Sequence, residues 1–207
     1  MKKYALGCGG LLVLFVIILG MSGCGSYNRL VGLSQNVDSK WAQVQNVYQR
    51  RLDLVPNLVS TVQGAANFEK STLTEITQAR ASVGQVKIDP NKAPTDPAQL
   101  QQFQQAQDSL GSALSRLLVV VERYPELRAT TNFRDLQAQL EGTENRIAVE
   151  RKNFSDAVQD YNTTVKRVPT VFFARLFGYS PRPFFQSQPG AEQAPKVQFD
   201  FDTSTNK

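Results

Sequence analysis

An uncharged, apolar run near the N-terminus constrains this chain more than any other feature. Residues 5–25 contain no Asp, Glu, Lys or Arg, and Lys2 and Lys3 stand just before them. A helix rises about 1.5 Å per residue, so about 20 apolar residues cross the roughly 30 Å hydrocarbon layer of a bilayer. The sequence therefore predicts a transmembrane helix that tethers residues 26–207 to membrane lipid.

The same stretch has two other possible fates. A basic start, an apolar core and a small-residue end also describe a secretory signal. Met-Ser-Gly-Cys at 21–24 resembles the lipobox at which bacterial lipoproteins are cleaved and lipidated, which makes Cys24 a candidate lipidation site. We adopt the uncleaved span, because the uncharged run extends back to Gly7 and the helical pattern continues after it without a linker.

Basic residues at the two ends of the run set the expected orientation. Lys2 and Lys3 precede it, and Arg29 is the one basic residue close behind it. The positive-inside rule then keeps the N-terminus in the cytoplasm and places the rest of this single-pass protein outside.

The composition excludes several classes of function. The net charge of +5 over 207 residues is spread without a basic block, so we expect no nucleic-acid partner. The chain has no histidine, and both cysteines lie within residues 5–25, which removes His-dependent catalysis and Cys-containing zinc sites from the remainder. Gly-rich phosphate loops and GxSxG are also missing. We therefore predict a protein that is not an enzyme and has no catalytic residues, metal site or cofactor.

Periodic apolar residues predict four helices after the run, near residues 26–64, 68–84, 97–124 and 132–168. The first carries an apolar stripe with a step of three or four: Leu30, Leu33, Val37, Trp41, Val44, Tyr48, Leu52, Val55, Val59 and Val62. Pro56 should kink it, and residues 64–67 should end it. Asp96 and Pro97 form a good start for the third helix.

The predicted fold class is all-α: an antiparallel up-and-down four-helix bundle that follows an N-terminal transmembrane helix. The corresponding domains are an anchor over residues 1–25, a bundle over 26–168 and an aromatic and polar tail over 169–207.

The fourth helix raises the question of a polar site. Its apolar residues recur every seven positions, at Phe133, Leu140, Ile147, Phe154, Tyr161 and Val168, while the neighbouring row contains Glu144 and Arg151. Either these two pack their stems and extend their charges into water, or they join charged partners inside the bundle. The candidate polar cluster comprises Arg50, Arg51, Asp53, Glu122, Glu144 and Arg151.

Aromatic and basic residues concentrate after Pro169. The candidate residues are Phe172, Phe173, Arg175, Phe177, Phe184 and Phe185. They could cap the bundle or lie at a lipid interface, where aromatic rings and arginine are favoured. Four antiparallel helices would return the chain to its starting end, so we expect this tail beside the membrane.

Several strings together resemble the LemA family of bacterial membrane-anchored proteins. They are YNRLV at 27–31, WAQV at 41–44, YQRRLDLVPNLV at 48–59, LVVVERYPEL at 118–127, LEGTENRIA at 140–148 and FG at 177–178. The resemblance implies one membrane helix, a four-helix bundle and a largely undefined biochemical role. The chain departs from the family at NFEK, residues 67–70, where a histidine is common before Glu-Lys, and in its lipobox-like Cys24.

We therefore expect a non-enzymatic bundle that presents a surface to unidentified membrane or envelope proteins at the bacterial cell membrane. The alternative is a ligand-binding or catalytic bundle that uses the candidate polar cluster as an inward acid/base site. A third possibility is lipid remodelling through the aromatic tail.

Overall fold

In the computed structural model, one helix runs from the apolar run into the rest of the chain. The backbone is described for residues 2–64 and 68–186, and the side chains for Ile17 and residues 20–64 and 68–186. Helix α1, Lys2–Gln63, has 62 residues and is about 93 Å long at the usual rise per residue. Pro56 lies inside α1 and does not end it. The helix ends just before the predicted break, of which residues 65–67 lie outside the described part.

The predicted membrane span is helical but is not confirmed as a span. No helix in the described part of the chain is long and apolar enough to cross a bilayer. The side chains of residues 5–16, 18 and 19, which form most of the predicted anchor, lie outside the described residues. The transmembrane helix stays a prediction.

Five more helices follow, and no strand occurs in residues 2–64 and 68–186, so the all-α class is confirmed. They are α2, Lys70–Gln85; α3, Pro97–Val121; α4, Pro125–Ala129; α5, Thr131–Lys166; and α6, Thr170–Leu176. The helices α2, α3 and α5 lie within a few residues of their predicted positions. The short helices α4 and α6 were not predicted.

Side-chain caps define where two of the helices begin. The Asp96 carboxylate accepts a hydrogen bond from the Ala98 backbone N–H at 2.9 Å, and Pro97 occupies the first helical position, as predicted. At α5 the cap is Thr130, whose side chain accepts a hydrogen bond from the Phe133 backbone N–H at 3.4 Å. The predicted start of this helix, near residue 132, is therefore one residue late.

Two apolar clusters show how the long helices run. In one cluster, residues 30–48 of α1 pack with residues 147–165 near the end of α5. In the other, residues 55–62 of α1 pack with Phe133 and Leu140 at the start of α5. Helices α1 and α5 therefore run in opposite directions. The grouping of the long helices into an up-and-down four-helix bundle stays a prediction.

Helices α2 and α3 cover only the later part of α1. The loop before α3 reaches back to Trp41, whose indole Nε1 donates a hydrogen bond to the Asp89 carbonyl oxygen at 3.1 Å. The rings of Trp41 and Phe103 on α3 meet at 5.4 Å between centroids. Before Trp41, α1 and the end of α5 extend past α2 and α3.

The tail fills the space that this overhang leaves. After α6 the chain reverses at Gly178, whose φ of 77° is a left-handed conformation that glycine adopts without strain. The side chains of Tyr179 and Phe185 then pack on the first apolar cluster. The rings of Trp41, Phe154 and Phe185 contact one another: the centroid distance is 5.5 Å from Trp41 to Phe154, 6.2 Å from Trp41 to Phe185 and 5.5 Å from Phe154 to Phe185.

Candidate functional site

A buried arginine separates the two apolar clusters. Arg51 lies on α1 between Tyr48 and Val55, and it is only 3% exposed. Its Nη1 donates to the Glu144 carboxylate on α5 at 3.1 Å. Its Nη2 donates to the Gln107 carbonyl oxygen on α3 at 2.9 Å and to the Gln107 side-chain oxygen. We call Arg51, Gln107 and Glu144 the polar layer, since it joins three helices across the core.

The polar layer opens to solvent on the Glu144 side. The Glu144 side chain is 45% exposed, whereas that of Arg51 is 4% exposed. A groove of about 740 Å³ lies beside the pair, lined mainly by polar residues of α3 and α5 that include Asp108, Ser112 and Glu141. The Nε of Arg51 has no acceptor among the described residues. The layer can hold charge, but its guanidinium already binds protein acceptors at both Nη groups.

The rest of the candidate polar cluster lies elsewhere. Arg50 and Asp53 are exposed on α1, and Asp53 accepts a hydrogen bond from Gln49 at 2.8 Å. Glu122 forms an exposed ion pair with Arg128 at 2.6 Å. The guanidinium of Arg151 lies over the Phe185 ring at 4.5 Å. Of the six candidates, only Arg51 and Glu144 meet.

Burial changes the pKa of Tyr48, the tyrosine next to the polar layer. The Arg51 guanidinium carbon lies 5.0 Å from the centroid of the Tyr48 ring. Burial raises the pKa of Tyr48 above its ordinary value of 10.0, and the positive charges of Arg151 and Arg51 offset part of this rise. Tyr48 is therefore neutral at physiological pH and works as a packing residue there.

A second buried arginine holds the tail. Arg182 donates from Nη1 to Asp38 at 3.0 Å and to the Ala93 carbonyl oxygen at 2.9 Å, and from Nη2 to Ser34 Oγ at 3.0 Å. The side chain of Asn162 on α5 accepts from the Arg182 backbone N–H at 2.7 Å and donates to its carbonyl oxygen at 2.8 Å. We call this set of contacts the tail latch.

The tail latch was not found from the sequence. In the sequence, Arg182 is indistinguishable from Arg175, because both are basic residues within the same aromatic stretch. The prolines on either side, Pro181 and Pro183, indicate a fixed extended backbone, but nothing local identifies Asp38 as a partner 144 residues away.

The candidate interface residues of the tail face in different directions. Four of them are exposed: Phe172, Arg175, Phe177 and Phe184. The exposed fraction is 45% for Phe177 and for Phe184. Phe173 is half-buried against α1, so that a Cβ placed on Gly23 would lie 3.0 Å from its ring. Phe185 is half-buried on the apolar core.

Cys24, the candidate lipidation site, is an exposed free cysteine on α1. Across the described residues, no group of three or more His, Cys, Asp or Glu side chains could hold a metal ion.

Comparison with known proteins gives relatives of low identity over most of the chain. The magnetosome proteins MamQ 1 and MamQ 2 of Paramagnetospirillum magneticum are each 24% identical over 185 residues, which is 80% of this chain and 66% of theirs. The chain therefore aligns with slightly under two thirds of those two relatives. Protein LemA of Metamycoplasma hominis is 22% identical over 157 residues, covering 74% of this chain and 67% of its own.

A family model settles the relationship that the sequence strings indicated. The LemA family model matches residues 40–199, which include Trp41, the polar layer and Arg182 of the tail latch. This match covers most of the chain, and the chain belongs to the LemA family.

Proposed function

We propose that this chain is a non-enzymatic, membrane-tethered helical scaffold of the bacterial cell envelope. An uncleaved N-terminal transmembrane helix holds it in the membrane, with the N-terminus in the cytoplasm. Outside, an up-and-down four-helix bundle presents a surface to membrane or envelope proteins. None of the relatives' names states a reaction, which supports a role based on the shared scaffold.

The filling of the interior carries this proposal. Aromatic rings occupy the first apolar cluster, where Trp41 packs against Phe103, Phe154 and Phe185. Each buried arginine is bound by acceptors on at least two different segments of the chain. Such groups connect helices and leave little inside the fold to bind and convert a substrate.

Exposed apolar residues on the bundle mark where a partner could bind. Val119 on α3 is 70% exposed, and Val149 on α5 is also exposed. A photo-crosslinking residue at Ser115, one turn before Val119, should form a discrete adduct with an envelope protein in cells. Val119→Glu should reduce that adduct without lowering the unfolding temperature, because the side chain contributes little to the core. Crosslinkers that yield no adduct anywhere on the exposed faces of α3 and α5 would contradict the scaffold.

The groove beside the polar layer favours a second candidate, a bundle that binds a small ligand. Arg51 and Glu144 both line it, together with the carboxylates of Asp108 and Glu141. A ligand there should raise the unfolding temperature of the wild type, and Glu144→Gln should remove that rise. Lys152→Gln, an exposed change on the same helix, is the control. A screen without any such shift would leave the scaffold as the better explanation.

The anchor has its own test. We propose that residues 1–24 remain attached as an uncleaved span. The intact mass of the protein purified from membranes should then include them. A mass that matches a chain beginning at an acylated Cys24 would show that the protein has a lipoprotein anchor and not an uncleaved span.

A further inference from the structure

The outer side of α6 is apolar and has no cover within the described residues. Phe172 is 67% and Leu176 is 75% exposed, and their spacing of four places them on one side of the helix. Val168, just before α6, is also exposed. Thr170 and Ala174, offset by two positions, face the opposite way and are buried. We call Val168, Phe172, Arg175 and Leu176 the corner patch.

The corner patch lies at the level where the predicted anchor ends. The ring of Phe173, the neighbour of Phe172, packs against Gly23. Phe177, which follows Leu176, meets Tyr27 edge-to-face at a centroid distance of 5.0 Å. Residues 23–27 of α1 span the end of the uncharged run, and the next charged residue is Arg29. A helix that leaves the bilayer here would place the corner patch in its head-group layer.

Basic charges predominate at this end of the molecule, where Asp160 is the acidic residue that lines the same surface groove as Arg29 and Arg167. The sequence has no Asp or Glu in residues 1–37 or in residues 161–186. The tail latch neutralises Arg182 with Asp38, but Lys166, Arg167 and Arg175 are exposed. Exposed aromatic and aliphatic groups combined with basic side chains match an anionic lipid surface, where the rings enter the interface and the cations meet head groups. A surface for a protein partner would not require this excess of basic charge.

We infer that the corner patch lies in the anionic head-group layer of the membrane that holds the N-terminal anchor, so that the chain contacts the bilayer at two points. This inference rests on the proposed membrane tether. The second contact fixes how the helices stand on the membrane, because rotation of α1 about its axis would pull α6 out of the interface.

Tryptophan fluorescence in the full-length protein tests the inference. The native Trp41 is buried in the core and serves as the internal reference. Phe172→Trp adds a reporter in the corner patch, and Val119→Trp adds one of similar exposure on α3. Its neighbours Leu117 and Val121 pack with residues 55–62 of α1, far along that helix from Gly23. Each protein is reconstituted into phosphatidylcholine–phosphatidylglycerol vesicles with or without brominated acyl chains, which quench tryptophan on contact.

We expect brominated lipid to quench the added tryptophan of Phe172→Trp and to leave those of Val119→Trp and the wild type unchanged. Quenching should weaken in vesicles of phosphatidylcholine alone, and Arg175→Gln in the Phe172→Trp background should weaken it in anionic vesicles. Leu176→Trp provides a second reporter if Phe172→Trp does not fold like the wild type.

Three results overturn the inference, and vesicle flotation separates the first two from the third. If the wild type floats with vesicles but neither corner reporter is quenched more than Val119→Trp, the tether stands and the corner patch is not in lipid. A blue-shifted but unquenched reporter would mean that protein covers the patch, which also refutes the inference. If the wild type does not float, the membrane tether and the corner contact both fail.

Discussion

Arg51 shows how one buried charge can organise three helices. Removing a guanidinium from water is costly unless acceptors replace its hydration, and here Glu144 and Gln107 do so. The apolar contacts on either side are non-directional, so they specify the alignment of α5 along α1 less strictly than hydrogen bonds do. A slide by one turn would instead separate Glu144 from Arg51. We therefore interpret the polar layer as a feature that fixes the register of α1, α3 and α5.

Substitution of Arg51 tests this interpretation against its exposed neighbour. Arg51→Met should lower the free energy of unfolding by roughly 2–3 kcal/mol, because Gln107 loses charge-assisted hydrogen bonds inside the core. Arg50→Met, at an exposed position, should change it by less than about 0.5 kcal/mol. Urea denaturation of the detergent-solubilised protein measures both. Equal effects of the two substitutions would show that the polar layer does not stabilise the fold.

The raised pKa of Tyr48 predicts that the folded protein loses stability at alkaline pH. Burial raises its pKa in the folded protein above the ordinary 10.0, so the unfolded chain releases the phenol proton first as the pH rises. Stability from this group is fully present below about pH 10 and falls as the pH rises through the folded pKa. Tyr48→Phe should therefore lose less stability than the wild type between neutral and alkaline pH. A parallel loss in both proteins would assign the alkaline sensitivity to other groups.

The sequence identified most of the buried stripe on α1 but placed the wrong residues at two of its turns. Hydropathy favours Leu52 and Val59, which are only half-buried. The buried positions are Arg51 and Leu58, which continue the same step of three or four. The periodicity fits both choices, and the assumption that a charged residue faces water decided for Leu52. Only the partners on α3 and α5, distant in the sequence, make burial of Arg51 favourable.

At the scale of elements, α5 follows its heptad pattern closely. Phe133, Leu140, Ile147, Phe154 and Tyr161 are all buried, as the spacing of seven predicts. Val168 breaks the series, because α5 ends at Lys166 and Val168 is exposed. The pattern can be read from sequence because α5 is long and most of one side contacts α1. The end of the pattern depends on where Pro169 turns the chain.

Truncation to alanine should destabilise the protein strongly on the buried side of α5 and weakly on its exposed side. Ile147→Ala or Phe154→Ala should cost about 2–5 kcal/mol, because each removes buried apolar atoms and leaves a cavity. Lys152→Ala should cost less than about 0.5 kcal/mol, because Lys152 pairs only with Asp156, one helical turn later, and both side chains are exposed. Chemical denaturation compares the three. Small and equal losses would show that the predicted seam does not face the core.

The two short helices mark the limit of prediction at this scale. Helix α4 has 5 residues and α6 has 7, too few for a periodic pattern to appear. No helix is predicted between residues 124 and 132, although Pro125 occupies the first helical position of α4. Helix α6 is held by Phe173 and Ala174 against its neighbours, contacts that a local pattern does not contain.

At the scale of the whole molecule, unequal helix lengths determine where the tail goes. Helix α1 and the end of α5 extend beyond α2 and α3, and the predicted helices already indicate this, because 26–64 and 132–168 are longer than 68–84 and 97–124. Whether the tail caps the bundle or faces lipid could not be decided from composition, because aromatic residues suit both. The structure divides the tail between the two: Tyr179 and Phe185 pack on the core, and the corner patch faces outward. The interfacial role stays a proposal.

The tail latch yields the last prediction, because one side chain joins the tail to α1 and to the loop before α3. Arg182→Gln removes the charge pair with Asp38 and shortens the reach to Ser34, while the backbone bonds to Asn162 can remain. We expect chymotrypsin to cleave at Phe184 and Phe185 several-fold faster in this variant, because the segment would detach more often without global unfolding. Arg175→Gln, an exposed change in the same tail, should leave the rate unchanged. The double variant Arg182→Gln/Asn162→Ala should be cleaved faster still, since it also removes the side-chain bonds from Asn162 to the Arg182 backbone. If Arg182→Gln is cleaved at the wild-type rate in detergent, the other contacts of the segment retain the tail without the ion pair: Phe185 packs on Trp41 and Phe154, and the Gln186 backbone pairs with the Gln104 side chain.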